Sequence, residues 1–136
     1  MKREEIIAEA RTWLETPFHH QGRLKGVGVD CLGVVIGVAQ AFGIEVREVP
    51  GYGRQPDMAA MGAGLRAHLT EKPKAQLLPG DVLWMAFVRE PQHLAIYTER
   101  DTIIHAAERY GKCVEQRFDL TWQRRLRLVF AFPGVE

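Results

Sequence analysis

The spacing of hydrophobic residues changes near the middle of the chain, from a helical to an alternating pattern. Between Lys2 and Leu14, apolar residues recur every three or four positions, which is typical of one buried helix face. The members of this face are Ile6, Ile7, Ala10, Trp13 and Leu14. Pro17 is expected to end the helix, because proline lacks the N–H that a helix interior requires.

A second helix is predicted from Cys31 to Phe42, between a capping residue and a closing glycine. Asp30 can accept a hydrogen bond from an N–H of the first turn, and Gly43 is a common end signal. Apolar residues surround the axis, which favours a central, buried helix. The segment before it, Gly22 to Gly28, is interpreted as a flexible loop because it is rich in glycine and polar residues.

A third helix is predicted from Met58 to Leu69, and Asp57 can cap its first turn. A loop marked by Gly51–Gly53 and Pro56 precedes this helix. Predicted helices therefore dominate the first half of the chain.

The second half shows the alternation that is typical of β-strands. A short apolar strand, Val82 to Val88, follows the turn Leu78–Asp81. Two alternating segments, 93–97 and 103–105, flank the turn Glu99–Asp101 and predict a hairpin. Helices followed by antiparallel strands indicate an α+β fold, with the N-terminal helices packed on a C-terminal sheet.

Two more strands are predicted near the end of the chain, at Cys113 to Phe118 and at Arg125 to Phe132. A group of arginines overlaps the second of these strands and alternates with apolar residues. The arginines are Arg124, Arg125 and Arg127, and the apolar residues are Trp122, Leu126 and Leu128. We interpret this alternation as the solvated face of a strand.

Composition and charge limit the classes of fold and partner that the sequence predicts. The 136 residues fit a single domain, 1–136, which is large enough to fold without a metal ion or a disulfide. A net charge of +1 gives no reason to expect a nucleic acid or an anionic membrane as a partner. No run approaches the ~20 apolar residues of a membrane span. The charged start, Met1–Glu5, precedes no apolar core of a secretory signal, so we expect synthesis in the cytoplasm.

Cys31 is the first candidate for chemistry, because it lies at the start of a predicted helix. Unpaired N–H groups and the helix dipole favour a thiolate there and are expected to lower the pKa of the thiol. The same N–H groups can hold a developing oxyanion. Alternatively, Cys31 is a small apolar residue at the start of a core helix. Cys113 lies on a predicted strand with no histidine at a useful spacing and is interpreted as a packing residue.

His93 and His105 lie on the two strands of the predicted hairpin. If these strands pair around a loop with an odd number of residues, the two imidazoles are opposite or diagonal neighbours on one face. A thiol, a base and a group that orients the base are the parts of an activated nucleophile. A zinc site is the alternative for the same residues, and Cys113 or His68 would then supply a fourth ligand.

Taken together, several segments resemble the NlpC/P60 family of cysteine peptidases. Val29–Gly33 resembles the nucleophile segment of that family, and Leu78–Val82 resembles the turn that opens its sheet. His93–Tyr97 is similar to the strand that carries the base, and Ile103–Ala106 to the strand that carries the third catalytic residue. Two further segments add to the likeness, Thr16–His19 and Phe130–Gly134. The segments follow the order of the family and span nearly the whole chain.

The resemblance implies a papain-like fold that needs no cofactor, with Cys31 as nucleophile, His93 as general base and His105 as the residue that orients the base. It implies hydrolysis of an amide bond in peptidoglycan stem peptides, typically between D-glutamate and a diamino acid. Asp30 would both cap the helix and hold a substrate amine, and capping alone is the alternative.

The likeness is to the compact type encoded in phage tail gene clusters. This implies phage tail proteins as partners, and incorporation into a phage or phage-like tail that acts on the cell wall. A wall amidase or an acyltransferase on the same fold remains an alternative, and so does a non-catalytic tail module.

Two positions depart from the family pattern. Leu32 follows the nucleophile where many members have serine, and Phe18 stands where many have tyrosine. Both family residues contact the substrate, so the departures bear on specificity more than on chemistry. Three polar residues next to Phe18 can supply a substitute contact, namely His19, His20 and Gln21.

Overall fold

The computed structural model describes residues 1–47, 58–86 and 91–136 and places helices against an antiparallel sheet. The helices are α1 (Arg3–Arg11), α2 (Cys31–Ala41), α3 (Met58–His68) and α4 (Leu120–Arg125). The strands are β1 (Arg23–Leu24), β2 (Gly28–Val29), β3 (Thr70–Lys72), β4 (Val82–Ala86), β5 (Pro91–Tyr97), β6 (Thr102–Ala107), β7 (Lys112–Arg117) and β8 (Leu126–Ala131). The predicted α+β class is therefore confirmed.

Six strands form one antiparallel sheet in the order β3-β8-β4-β5-β6-β7, while β1 and β2 form a separate hairpin. Strands β5 and β6 pair Ile96 with Ile104 and Tyr97 with Ile103. The predicted hairpin is thus present, and the number of residues between the partners Tyr97 and Ile103 is odd.

Alternation along the strands divides the sheet residues between two apolar clusters. The helix-side cluster includes residues of α1 and α2 together with Val82, Trp84, Leu94, Ile96 and Ile104 of the sheet. The opposite cluster joins the sheet residues Leu83, Met85, Ala95 and Ile103 to Phe118 and to Trp122 of α4. The side chains of 82–86 and 93–96 are thus all buried, which fixes the register of β4 and β5.

Helix α2 contacts β5, β6 and α1, which agrees with the prediction of a central helix. It approaches α1 closely because Gly37 has no side chain. A Cβ atom at Gly37 would lie 2.1 Å from Cζ2 of Trp13. The glycine therefore allows the indole to lie against the helix backbone, and this contact sets the spacing of the two helices.

Two predictions for the N-terminal third were wrong. Helix α1 ends at Arg11 rather than near Pro17, since Thr12 caps its C-terminus and Glu15 adopts a left-handed φ of 72°. The segment Gly22 to Gly28 is a short hairpin rather than a flexible loop. A Cβ atom at Gly22 would lie 2.5 Å from the carbonyl of Gly28, so this glycine permits close backbone approach.

The arginine-rich segment near the C-terminus was also assigned wrongly. Residues Leu120–Arg125 form α4, and the last strand begins only at Leu126. Asp119 caps α4 by accepting a hydrogen bond from the N–H of Trp122 at 3.1 Å. The helical turn buries the Trp122 ring against the sheet, which a solvated strand face would not do.

Strand β3 had no sequence prediction, and it pairs with β8 at the edge of the sheet. The predicted loop around Gly51–Gly53 and Pro56, the cap at Asp57 and the end of the strand at 87–88 lie outside the described residues. None of the helices in residues 1–47, 58–86 and 91–136 is both long and apolar enough to cross a bilayer.

Candidate active site

Cys31 is the first residue of α2, and the capping of this helix positions it. The side chain of Asp30 accepts a hydrogen bond from the N–H of Gly33 at 2.8 Å, while its own backbone is extended. The chain therefore changes direction at Asp30 and presents Cys31 at the helix start. Cys31 remains partly exposed, in contrast to the buried Cys113.

The carboxylate of Asp30 also attaches the preceding hairpin to the helix. It accepts hydrogen bonds from the N–H of Gln21 at 2.9 Å and from Nη1 of Arg23 at 2.8 Å. Gly33 allows this close approach, since a Cβ atom there would lie 2.5 Å from the carbonyl oxygen of Gly22. The predicted cap is thus present, and the binding of a substrate amine by Asp30 remains a prediction.

The electrostatic environment of Cys31 differs from the expectation. Burial of its sulfur among protein atoms and the negative charge of Asp30 raise the pKa of the thiol to about 11. N–H groups of Leu94 and Leu32, and the positive charge of Arg23, lower the pKa by less. The expected depression of this pKa was therefore wrong, because desolvation outweighs the effect of the helix start. The resting residue is a thiol at neutral pH.

His93 and His105 form a direct contact across neighbouring strands. Because Ile96 faces Ile104, His93 lies diagonal to His105 on one face of the sheet. Nε2 of His93 is 2.6 Å from Nδ1 of His105, and the rings meet edge to face at 77°. Both residues are buried, with 4% and 0% of their surface exposed. The predicted juxtaposition of the two imidazoles is therefore present.

Burial also decides the charge of the two imidazoles. Desolvation, followed by His105 and the positive charge of Arg125, lowers the pKa of His93 well below its usual value. Desolvation lowers the pKa of His105 to about 4, although a hydrogen bond to Gln116 opposes this shift. Both rings are therefore neutral near pH 7, which is the form that can accept a proton.

Strand β5 carries His93 and also contacts Cys31 through its backbone. Leu94, which directly follows His93, directs its backbone N–H at the sulfur of Cys31. The start of α2 therefore lies against the strand that carries His93. The contact between His93 and His105 is thus present, and the approach of Cys31 to the imidazole of His93 stays a prediction.

Three residues of this site had no functional prediction. Gln116 of β7 lies 2.7 Å from Nε2 of His105 through its side-chain oxygen. The rings of Trp122 and Tyr110 lie 5.1 and 5.6 Å from the ring of His105. Asp119 was the only available signal for the placement of Trp122, because an aspartate three residues upstream can cap a helix. Gln116 and Tyr110 carried no comparable signal.

Neither residue proposed as the fourth ligand of a zinc site lies beside the two histidines. Cys113 belongs to the cluster on the helix side of the sheet, whereas His93 and His105 lie on the opposite face. His68 lies on α3, where its ring contacts the carbonyl of Gly64 and the N–H of Arg47. In the part of the chain that the structure describes, no group of three or more His, Cys, Asp or Glu residues is placed to hold a metal ion.

Alkylation with iodoacetamide should distinguish the two cysteines. We expect Cys31 to react first because the residue is partly exposed and the pKa of its thiol is raised only to about 11, whereas burial and the charge of Glu15 raise the pKa of the buried Cys113 to about 12. The rate at Cys31 should increase with pH up to about 11 and should fall in His93→Ala. Peptide mapping by mass spectrometry measures both sites, and faster labelling of Cys113 in the folded protein would contradict the assignment.

Comparison with solved structures identifies the fold. The chain superposes on an NlpC/P60 family protein from Bacillus cereus with a TM-score of 0.74 at 16% identity, covering 96% of this chain and 40% of that one. For the NlpC/P60 domain of the peptidoglycan hydrolase SagA the TM-score is 0.67 at 22% identity, with coverage of 97% and 100%. The chain thus spans less than half of the first structure and the whole of the second.

A third structure, the peptidoglycan hydrolase RipB of Mycobacterium tuberculosis, has a TM-score of 0.66 at 18% identity, with 94% and 63% of the two chains covered. These likenesses establish the papain-like fold of NlpC/P60 domains. A search of curated proteins finds no match. The model of the NlpC/P60 family matches residues 15–130, which is most of the sequence. The chain therefore belongs to the NlpC/P60 family.

Proposed function

We propose that this protein is a cysteine endopeptidase that hydrolyses an amide bond in peptidoglycan stem peptides. The observation that carries the proposal is the 2.6 Å contact between His93 and His105 beside the helix start that bears Cys31. A nucleophile, a base and a group that orients the base need this order in space. Two structural neighbours are named peptidoglycan hydrolases, and their names support the substrate class.

The pKa values favour attack by a thiol whose proton is removed during the reaction. Cys31 is protonated at rest and His93 is neutral, so His93 accepts the thiol proton as the sulfur attacks the carbonyl carbon. The backbone N–H of Cys31 holds the developing oxyanion at the helix start. His93 then donates its proton to the leaving amine, which leaves a thioester on Cys31.

The second half of the reaction uses the same groups. His93 removes a proton from water as the water oxygen attacks the thioester carbonyl, and it returns this proton to the sulfur of Cys31 as the C–S bond breaks. The new carboxylic acid loses its own proton to solvent, and His93 is neutral again. His105 stabilises the imidazolium that forms at His93 in each half, since its Nδ1 lies 2.6 Å from Nε2 of His93. No step requires a cofactor.

Substrate specificity is assigned to the region around the β1–β2 hairpin. Asp30, at the base of the hairpin, supplies a negative charge for a substrate amine. An open cleft nearby is lined by Phe18, His19, His20, Glu108 and Gly111. Phe18 and Leu32 pack against the apolar cluster on the helix side, so the polar contacts in this cleft come from the two histidines and Glu108.

The proposed setting is a phage or phage-like tail, where the enzyme acts on the cell wall during assembly or infection. This part of the proposal rests on the resemblance to the compact tail-associated type. Detection of the protein in purified tails by immunoblotting tests it, and recovery of the protein only in the soluble lysate would contradict it.

Digestion of purified peptidoglycan tests the activity. Wild-type protein should release fragments whose masses show cleavage within the stem peptide. Cys31→Ser should release none, and Cys113→Ser should match the wild type because its side chain is buried among apolar residues and faces away from His93 and His105. Cleavage between sugar and peptide would indicate an amidase, and transfer to an added amine would indicate an acyltransferase. Equal release by wild type and Cys31→Ser, or activity lost with EDTA, would contradict the proposal.

A further inference from the structure

We propose that Gln116 is a positioning residue that sets which ring nitrogen of His93 is basic. Its side chain extends the contact between the histidines by one strand, so that β5, β6 and β7 each contribute one member. This inference rests on the proposed function, because it assigns a role within the same reaction. The structural part of the inference can be tested without any substrate.

The direction of the hydrogen bonds between His93, His105 and Gln116 follows from the chemistry of the Gln116 side chain. The side-chain oxygen of Gln116 can only accept, so Nε2 of His105 carries the hydrogen at this 2.7 Å contact. A neutral imidazole has one hydrogen, which makes Nδ1 of His105 an acceptor. Nε2 of His93 must then donate across the 2.6 Å contact. Nδ1 of His93 is left without a hydrogen and is the basic nitrogen.

The opposite direction would abolish the base. If the amide nitrogen of Gln116 faced His105, Nε2 of His105 would accept and its Nδ1 would carry the hydrogen. Nε2 of His93 would accept in turn, and the hydrogen would be on Nδ1 of His93. A ring in that form has no lone pair on Nδ1 with which to take a proton from Cys31. The orientation of one amide group therefore decides whether the site can react.

Aromatic packing holds the two imidazole rings in place, while Gln116 sets the direction of the hydrogen bonds between them. Trp122 contacts both imidazoles, with ring centroids 6.0 Å from His93 and 5.1 Å from His105. Tyr110 lies edge to face against His105. These ring contacts fix the ring positions, whereas the side-chain oxygen of Gln116 accepts a hydrogen bond from His105 at 2.7 Å and so favours one tautomer. The tautomer preference is therefore assigned to Gln116.

Two substitutions separate the chemistry of Gln116 from its bulk. Gln116→Met has a similar length but offers no strong acceptor, and Gln116→Glu offers only acceptors. The same two changes at Gln40, an exposed residue of α2, serve as matched controls. A single buried hydrogen bond shifts such an equilibrium by up to about tenfold.

Nitrogen-15 NMR of the two rings at pH 7 is the direct readout, with the rings assigned through their contacts with Trp122. Wild type, Gln116→Glu and both Gln40 variants should show His93 and His105 with the hydrogen on Nε2. Gln116→Met should show a mixture of tautomers at His93. A wild-type His93 with the hydrogen on Nδ1, or an unchanged spectrum in Gln116→Met, would overturn the inference. If Gln116→Met does not fold, the wild-type and Gln116→Glu spectra decide.

Kinetics on a stem peptide give the functional readout. Gln116→Met should lower kcat about tenfold and leave KM unchanged, since only the competent fraction of His93 is reduced. Gln116→Glu should retain the wild-type kcat at pH 7 and move the acid limb of its pH profile upward, because a carboxylate favours the charged form of His105. Absence of hydrolysis by wild type together with the expected tautomers would refute the proposed function and leave the role of Gln116 standing. A rise in KM alone in Gln116→Met would refute that role.

Discussion

Replacement of His93 with alanine is expected to lower kcat/KM for stem-peptide hydrolysis by about 10²–10⁴-fold, the usual contribution of general acid–base catalysis. The reason is that His93 transfers the proton in every step, while the thiol of Cys31 is protonated at rest. His105 is not placed to replace it, because His105 lies one strand farther from Leu94, whose N–H contacts the sulfur. Initial rates on a defined stem peptide measure the effect.

Replacement of His105 should lower the rate of hydrolysis less than replacement of His93, because His105 acts on the base and not on the substrate. His105→Asn can still accept one hydrogen bond from Nε2 of His93 and should retain a measurable fraction of the rate. His105→Ala should be slower than His105→Asn. Full activity of His105→Ala beside an inactive His93→Ala would show that Cys31 and His93 act as a dyad.

Folding must be compared first, because both rings are buried. Circular dichroism and thermal unfolding of each variant separate lost chemistry from lost structure. His68→Ala is a suitable control, since that ring lies on α3 and contacts Gly64 and Arg47 instead of the site. A reversed order, with His105 indispensable and His93 replaceable, would show that the two roles were exchanged.

The parts of the site that the sequence predicted depend on local rules. Asp30 before an apolar run is a capping signal, and it places Cys31 at a helix start wherever the helix packs. His93 and His105 share a face because strands alternate with period two and the turn at 99–101 sets the register. Each inference needs only neighbouring residues, so it could be made without knowledge of the packing.

The parts that the sequence did not predict depend on contacts between distant residues. Gln116 is one of several exposed or half-exposed polar residues of its strand, and only the pairing of β6 with β7 brings it to His105. The pKa of Cys31 depends on how deeply α2 is buried against the sheet, which local pattern does not report. Helix α4 was missed because its arginines alternate with apolar residues. The helix has too few turns for a helical period of 3.6 residues to be distinguished from the period of two that is typical of a strand.

The buried histidine pair should also make the fold sensitive to acid. Desolvation lowers the pKa of His105 to about 4 in the folded protein, whereas an unfolded histidine titrates near pH ~6.5. Between these values the unfolded chain binds a proton that the folded chain excludes, so the free energy of unfolding falls as the pH is lowered. The stabilisation is fully present above pH ~6.5 and is lost progressively down to about 4.

The slope should reach about 1.4 kcal/mol per pH unit for His105, and His93 adds to it in the same direction because its pKa is also lowered. Urea unfolding at pH 7, 6 and 5 measures the slope above the range in which carboxylates titrate. His105→Asn should show a shallower slope, and His19→Asn, which alters an exposed histidine, should match the wild type. A slope in His105→Asn equal to that of the wild type would mean that His105 is protonated or solvated in the folded protein. The assignment of His105 as a neutral, buried partner of His93 would then be wrong. The proposed direction of proton transfer from Cys31 to His93 would be wrong as well.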